Sequence, residues 1–170
     1  MPQMDTLNIR FGNPQDAASI ADIYNYYIAH TSITFEVDTV SKEDRREWIQ
    51  QFTEDGPYQL LVAELDGLVV GFATSVRYHP RAAYYTSVMT SVYLNRNFKG
   101  QGIGKRLYIA LVERLQRHPD LHRAYALISL PNPASLILHD KLGFRKVGIL
   151  EEAGKKFDQF LNVQIMEKPL

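Results

Sequence analysis

Residues 95 to 107 read NRNFKGQGIGKRL, with Gly100, Gly102 and Gly104 set among Lys99, Lys105 and Arg106. A hydrophobic run precedes them and an amphipathic pattern follows, so the glycines fall between a strand and a helix. A helix start leaves backbone N–H groups unpaired and carries partial positive charge. Glycine lets that backbone approach a bulky anion with no Cβ in the way. A flexible turn with solvated cations is the plainer reading, and the glycines alone do not choose between the two. The spacing narrows the field. It is not G-x-x-x-x-G-K-[ST], the triphosphate loop, nor is it G-x-G-x-x-G after an early βαβ unit.

Other chemistry is bounded by composition. The chain has no cysteine, which excludes a disulfide framework, a thiolate nucleophile and a thiolate metal site. Zinc held by histidine and carboxylate stays open on composition alone, but no metal is expected. The 19 Lys and Arg balance 19 Asp and Glu, so the basic bias of a nucleic-acid or membrane-surface protein is missing. With 170 residues the expectation is one domain, spanning 1–170, with a single core. The start, MPQMDTLNIRF, lacks the apolar core of a signal peptide, and no run approaches a membrane span. The default is a soluble, cytoplasmic protein.

The elements that must position the glycine loop follow from periodicity. Residues 7–12 alternate as a strand, and Asp16 is placed to cap a helix carrying Ile20, Ile23, Tyr24, Tyr27 and Ile28 on one face. Ser41 with Asp44 three residues on predicts a capped second helix bearing Trp48, Ile49 and Phe52. Runs 58–65 and 68–77, split by Asp66-Gly67, read as a hairpin. A strand over 84–94 leads to the glycines, followed by a helix with Leu107, Leu111 and Leu115. A strand at 123–130, a helix at about 133–142 closed by Gly143, and strands at about 144–151 and 158–167 complete an α/β order.

Two motifs carry a resemblance. Lys99-Gly-Gln-Gly102-Ile-Gly104 is similar to [QR]-x-x-G-x-[GA], the pyrophosphate loop of GNAT N-acyltransferases, with Lys in the first place. Asn132, Ser135, His139 and Gly143-Phe144 fall on the family's N-x-x-A-x-x-x-Y-x-x-x-G-F. SVYLNRNFKGQGIGKRL, LPNPAS, LHDKLGF and GKKFDQFLNVQIMEK resemble the phosphinothricin and methionine sulfoximine acetyltransferase branch. The resemblance covers nearly the whole chain. It implies a GNAT fold, a mixed, mostly antiparallel twisted sheet of about seven strands flanked by about four helices.

It also implies acetyl-CoA as cosubstrate, an amino-acid-like amine acceptor attacked directly in a ternary complex, and a homodimer. Backbone groups of Val92, Tyr93 and Leu94 would pair with pantetheine, and one N–H would polarise the thioester oxygen. Gly100, Gln101, Gly102, Ile103, Gly104 and Lys105 would cradle the pyrophosphate, with Asn132 and Ser135 on the pantetheine. His139 stands where many members place a Tyr that protonates the leaving thiolate. Phe35, Arg77, Arg81 and Tyr84 become acceptor-side residues, the arginines for a carboxylate. The branch has a base Glu where this chain has Met89, and Met89 takes no proton. Glu36, Tyr84 and Tyr85 are the candidate substitutes. Two other readings stay open: a GNAT acting on a polyamine, antibiotic or protein amine, and a non-catalytic acyl-CoA sensor.

Overall fold

The computed structural model describes residues 6–170; residues 1–5 of the start read above lie outside the described residues. The strands are β1 (Leu7–Phe11), β2 (Leu60–Leu65), β3 (Leu68–Arg77), β4 (Ser87–Leu94), β5 (Arg123–Ser129), β6 (Arg145–Lys156) and β7 (Gln159–Pro169). Between them run α1 (Ala17–His30), α2 (Lys42–Ile49), α3 (Ile103–Arg117) and α4 (Pro133–Lys141). All seven strands form one sheet in the order β1-β2-β3-β4-β5-β7-β6. Every pairing is antiparallel except that of β4 with β5. The seven strands and four helices match the expected fold.

Local chemistry explains the joins. Asp66 and Gly67 both take positive φ, 52° and 79°, the pair of values a two-residue β2–β3 turn needs. Ser41 and Asp44 form the capping box that opens α2. Asp16 departs from expectation, for its side chain makes no capping bond to α1. The carboxylate is engaged elsewhere, accepting both Arg10 guanidinium nitrogens at 2.8 Å and the Asn13 N–H at 2.8 Å. Arg10 also reaches Glu64 at 2.7 Å, so one cation ties β1 to β2 and to the entry of α1.

The sheet is buried on both faces. Leu107, Leu111 and Leu115 of α3 are fully buried against Val70, Val88 and Ala124. On the opposite face Ile20, Ile23 and Tyr27 of α1 pack on Leu60, Val62 and Phe72. Three boundaries move. The strand expected from residue 84 starts at Ser87, because Ala82–Tyr84 turns as a short 3-10 helix. The last two strands run longer than expected and pair with breaks in register at Lys146/Gly148 and Leu150/Gly154. β6 is the sheet edge and is exposed along nearly all its length.

Arg10 is the test of this framework. Arg10→Ala leaves Asp16, 5% exposed, as a buried carboxylate without its cation. Urea unfolding should show a loss of about 3 kcal/mol, and a loss below about 1 kcal/mol would reduce the cluster to surface decoration.

Candidate active site

β4 and β5 pair only from Ser87–Arg123 to Met89–Tyr125. Past that pair β4 continues beside β3, while β5 follows β7 to its end. The strands therefore open as a V with Met89 and Tyr125 at the vertex. Thr90 Oγ1 lies beside the fork, 3.2 Å from the Tyr125 carbonyl. The V holds a narrow slot of about 50 Å³ bordered by residues 90–93 and 126–128 and by Asn132, Ser135 and His139.

On one side the slot opens into a groove of about 330 Å³ bordered by Val92, Leu94, Lys99, Gly102, Gly104 and Lys105. Gly100 and Gly102 have φ of 80° and 76°, the left-handed region, and Gly102 caps α3 with no side chain. A Cβ built on Gly100, Gly102 or Gly104 would meet no protein atom within 4 Å. The space beside the α3 N-terminus is open, bare of side chains and flanked by cations, and a pyrophosphate fits it. Ile103 contributes backbone only, since its side chain is in the core. Asn132 accepts the Ser135 N–H at 3.2 Å and caps α4. Tyr93 packs its ring on Phe72, Tyr24 and Tyr27, and burial pushes its phenol pKa well up.

His139 is 3% exposed, and both ring nitrogens are engaged. Nδ1 lies 2.7 Å from the Ser135 carbonyl and must carry the hydrogen. Nε2 then accepts from the Tyr108 hydroxyl at 2.9 Å, and that hydroxyl is 2.7 Å from Thr90 Oγ1. Burial lowers the His139 pKa, opposed by the bond to Ser135. The expected proton donation is therefore corrected: the neutral ring keeps its one N–H on a backbone carbonyl. In this geometry His139 positions α4, Tyr108 and Thr90.

On its other side the slot meets a cavity of about 350 Å³ between the loop after α1 and the β6–β7 hairpin. Phe35 borders it, as do Ile33, Tyr93 and Leu127. Ile33, Tyr93 and Leu127 border the slot as well, while Ile33, Val92, Asn132 and Ser135 are common to slot and groove. Groove, slot and cavity thus adjoin one another. The loop is docked in two places. Lys156 Nζ donates to the Thr34 carbonyl at 2.9 Å, and the Phe35 ring lies so close over Gly154 that a Cβ there would sit 2.2 Å from it. Burial lowers the Lys156 pKa.

The other acceptor-side residues lie apart. Glu36 is exposed, with charge interactions to Arg45 and Lys156, and does not border the cavity. The Arg77 guanidinium donates to the His79 and Pro80 carbonyls, so it braces its own loop. That corrects its expected hold on a carboxylate. Arg81 and Tyr84 are exposed; Tyr84 packs on Tyr78 and His79, and Tyr78 stacks on Tyr125 at 4.5 Å. Sequence reasoning missed Ser129, Leu150, Ala153, Val163 and Lys156; Lys156 and Val163 lie inside the quoted GKKFDQFLNVQIMEK segment, which assigned neither a role. His118 and His122, four apart, lie outside any helix, and among the described residues no group of three ligands could hold a metal.

Residues 9–163 match the Acetyltransferase (GNAT) domain model. The chain belongs to the GNAT acetyltransferase family. It is 42% identical over 172 residues to the phosphinothricin N-acetyltransferase of Streptomyces coelicolor, covering 100% of both chains. It is 31% identical over 164 residues to the L-methionine sulfoximine/L-methionine sulfone acetyltransferase of Salmonella typhimurium, covering 96% of this chain and 95% of that one. Among solved structures, a GNAT superfamily phosphinothricin acetyltransferase from Sinorhizobium meliloti in complex with acetyl-CoA superposes with a TM-score of 0.91 at 31% identity, covering 97% and 89%. This GNAT chain is an acetyl-CoA-dependent N-acetyltransferase, and the bare glycine cradle fits that cosubstrate.

Two measurements check the site. Gly104→Val adds side-chain atoms to the cradle without touching protein, so it should leave the melting temperature unchanged. By calorimetry it should weaken acetyl-CoA binding about 100-fold, the loss of two charge-assisted contacts. For His139 the folded pKa lies below the ordinary 6.5. Its contribution to stability is present above about pH 6.5 and is lost as pH falls through the folded value. Melts from about pH 8 to about pH 5 should fall less steeply in His139→Gln than in wild type, and equal slopes would remove His139 as the source.

Proposed function

We propose that the chain transfers acetyl from acetyl-CoA to the amine of a small amino-acid-like acceptor, of the phosphinothricin or methionine sulfoximine type. One observation carries this reading: the groove at the glycine loop adjoins the V-shaped slot, and the slot adjoins a separate cavity of about 350 Å³, sized for a small molecule. The thioester lies in the slot, its oxygen against a backbone N–H of residues 92–94, while Gly100 to Lys105 hold the pyrophosphate and Asn132 and Ser135 the pantetheine. A neutral amine attacks the carbonyl carbon, the C–S bond breaks, and the thiolate takes the proton that the new amide nitrogen loses. Proximity supplies much of the rate, and no acyl-enzyme is required.

Residues 1–170 act as one catalytic unit, in the cytoplasm and as a homodimer, with no nucleic-acid or membrane partner. Zero net charge supports the last point. The exposed edge strand β6, with Val147, Ile149 and Leu150 uncovered, supports the dimer. Arg81 and Tyr84 meet the acceptor carboxylate from the loop beside the vertex. Glu36, exposed next to Phe35, stays a candidate base for the incoming amine. Acetyl-CoA calorimetry followed by thiol release over an amine panel tests the whole reading. Turnover only with polyamines or protein amines, or binding without turnover, would overturn it.

Met89 marks the vertex, on the strand face shared with Ser91 and Tyr93. The α-amine of a free amino acid is almost wholly protonated at pH 7, so only a minor fraction is neutral without a base. Wild-type activity should therefore rise towards the acceptor's own pKa. Met89→Glu should raise kcat/KM near pH 7, within the roughly 10²–10⁴-fold that a general base supplies. A wild-type profile that levels off well below the amine pKa would place the base on another residue.

A further inference from the structure

One wall of the acceptor cavity is built by a break in strand regularity. Residues three apart in a regular strand point to opposite faces, yet Leu150 and Ala153 of β6 both border the cavity. The register with β7 breaks between Leu150 and Gly154, where Glu152 turns to a φ of 50° and its N–H is held by Asn162 at 2.8 Å. This bulge lets Ala153 reach the cavity and brings Gly154 under the acceptor loop.

Gly154 has no backbone reason to be glycine. Its φ is not positive, and it pairs with Leu161 as an ordinary strand residue. Glycine weakens a strand interior, and it marks places where another group comes close. That group is Phe35. A Cβ on Gly154 would stand 2.2, 2.6 and 2.7 Å from three atoms of the Phe35 ring. The same ring borders the cavity, while Gly154 does not. The loop backbone beside the ring is fixed, for the Thr34 carbonyl accepts from Lys156 Nζ, two residues on from Gly154 along β6. The Thr34 hydroxyl is held as well, 2.8 Å from the Tyr24 hydroxyl. Phe35 is 39% exposed, so its ring has room to swing where its backbone has none.

We propose that Gly154 is a specificity-determining residue, whose missing Cβ seats the Phe35 ring as the wall against which the acceptor's side chain packs. Gly154 is a positioning residue that acts through Phe35. The inference rests on the proposed function and adds to it the residue that sets the cavity's fit. Any Cβ here displaces the ring. Moved inwards, the ring takes the room of the acceptor's side chain; moved outwards, it withdraws an apolar surface. Both motions weaken acceptor binding. Both leave the glycine cradle and the slot untouched, since neither residue borders them.

The test uses the full-length enzyme, acetyl-CoA and L-methionine sulfone as acceptor. Gly154→Ala should raise KM for the sulfone about tenfold, the scale of one misplaced methylene in an apolar pocket. kcat and the calorimetric Kd for acetyl-CoA should not change. The melting temperature should match wild type, because the atoms that must yield belong to a half-exposed ring. Phe35→Ala should raise KM at least as much. In that background Gly154→Ala should add nothing, because no ring is left to displace. Unchanged KM in either single variant would overturn the proposal, as would a full rise from Gly154→Ala with the ring already gone. A fall in kcat or in acetyl-CoA affinity would also overturn it, by showing a general distortion of the site. No turnover of any small amino acid by wild type, with acetyl-CoA bound, would overturn the proposed function and this inference with it.

Discussion

The site depends on β4 and β5 parting after a single short parallel stretch. Parallel neighbours inside a sheet ordinarily stay paired, because an open backbone edge in the interior leaves polar groups unmet. Here side chains gather at the fork. Thr90 Oγ1 lies beside the Tyr125 carbonyl and donates to the Tyr108 hydroxyl, Tyr108 donates to His139, and His139 donates to the Ser135 carbonyl of α4. The rings of Tyr108, His139 and Phe144 pack on one another beside that chain. A thioester arm can then complete the ladder that the protein leaves unfinished.

From that constraint the two halves of the site take different forms. The cofactor half is local: β4, the glycine turn and the start of α3 are consecutive, and α4 adds one capped end. Its surface at the glycine turn is mostly bare backbone. The acceptor half is assembled from the loop after α1, β5, β6 and β7, and its surface is side chain. Lys156 and Gly154, distant in sequence from Phe35, hold the loop that forms one wall.

The difference explains what was legible in the sequence. The glycine loop, the Asp66-Gly67 turn, the Ser41 cap and the α3 leucine stripe are short-range patterns, and each stands where its spacing put it. Asp16 misled because a good capping residue is also a good ion-pair partner, and Arg10 is three-dimensional information. Tyr84 was given to a strand because aromatic residues favour strands, while the chain turned there instead. His139 matched a motif, yet only its neighbours show that its N–H faces a carbonyl. Gly154 gave no signal, since a glycine in a strand is ordinary until the ring lying over it is found.

The register breaks of β6 carry a further consequence. A long, open strand at a sheet edge invites end-to-end stacking of copies into fibres. This strand departs from a flat template at Lys146/Gly148 and again at Leu150/Gly154. Near the second break Glu152 turns to a φ of 50° and its N–H is pinned by Asn162 at 2.8 Å. Arg145, Lys146, Glu151 and Glu152 add charge of both signs along the same edge. An interrupted, charged edge offers no straight ladder for another strand to extend, so it is a poor template for fibril growth.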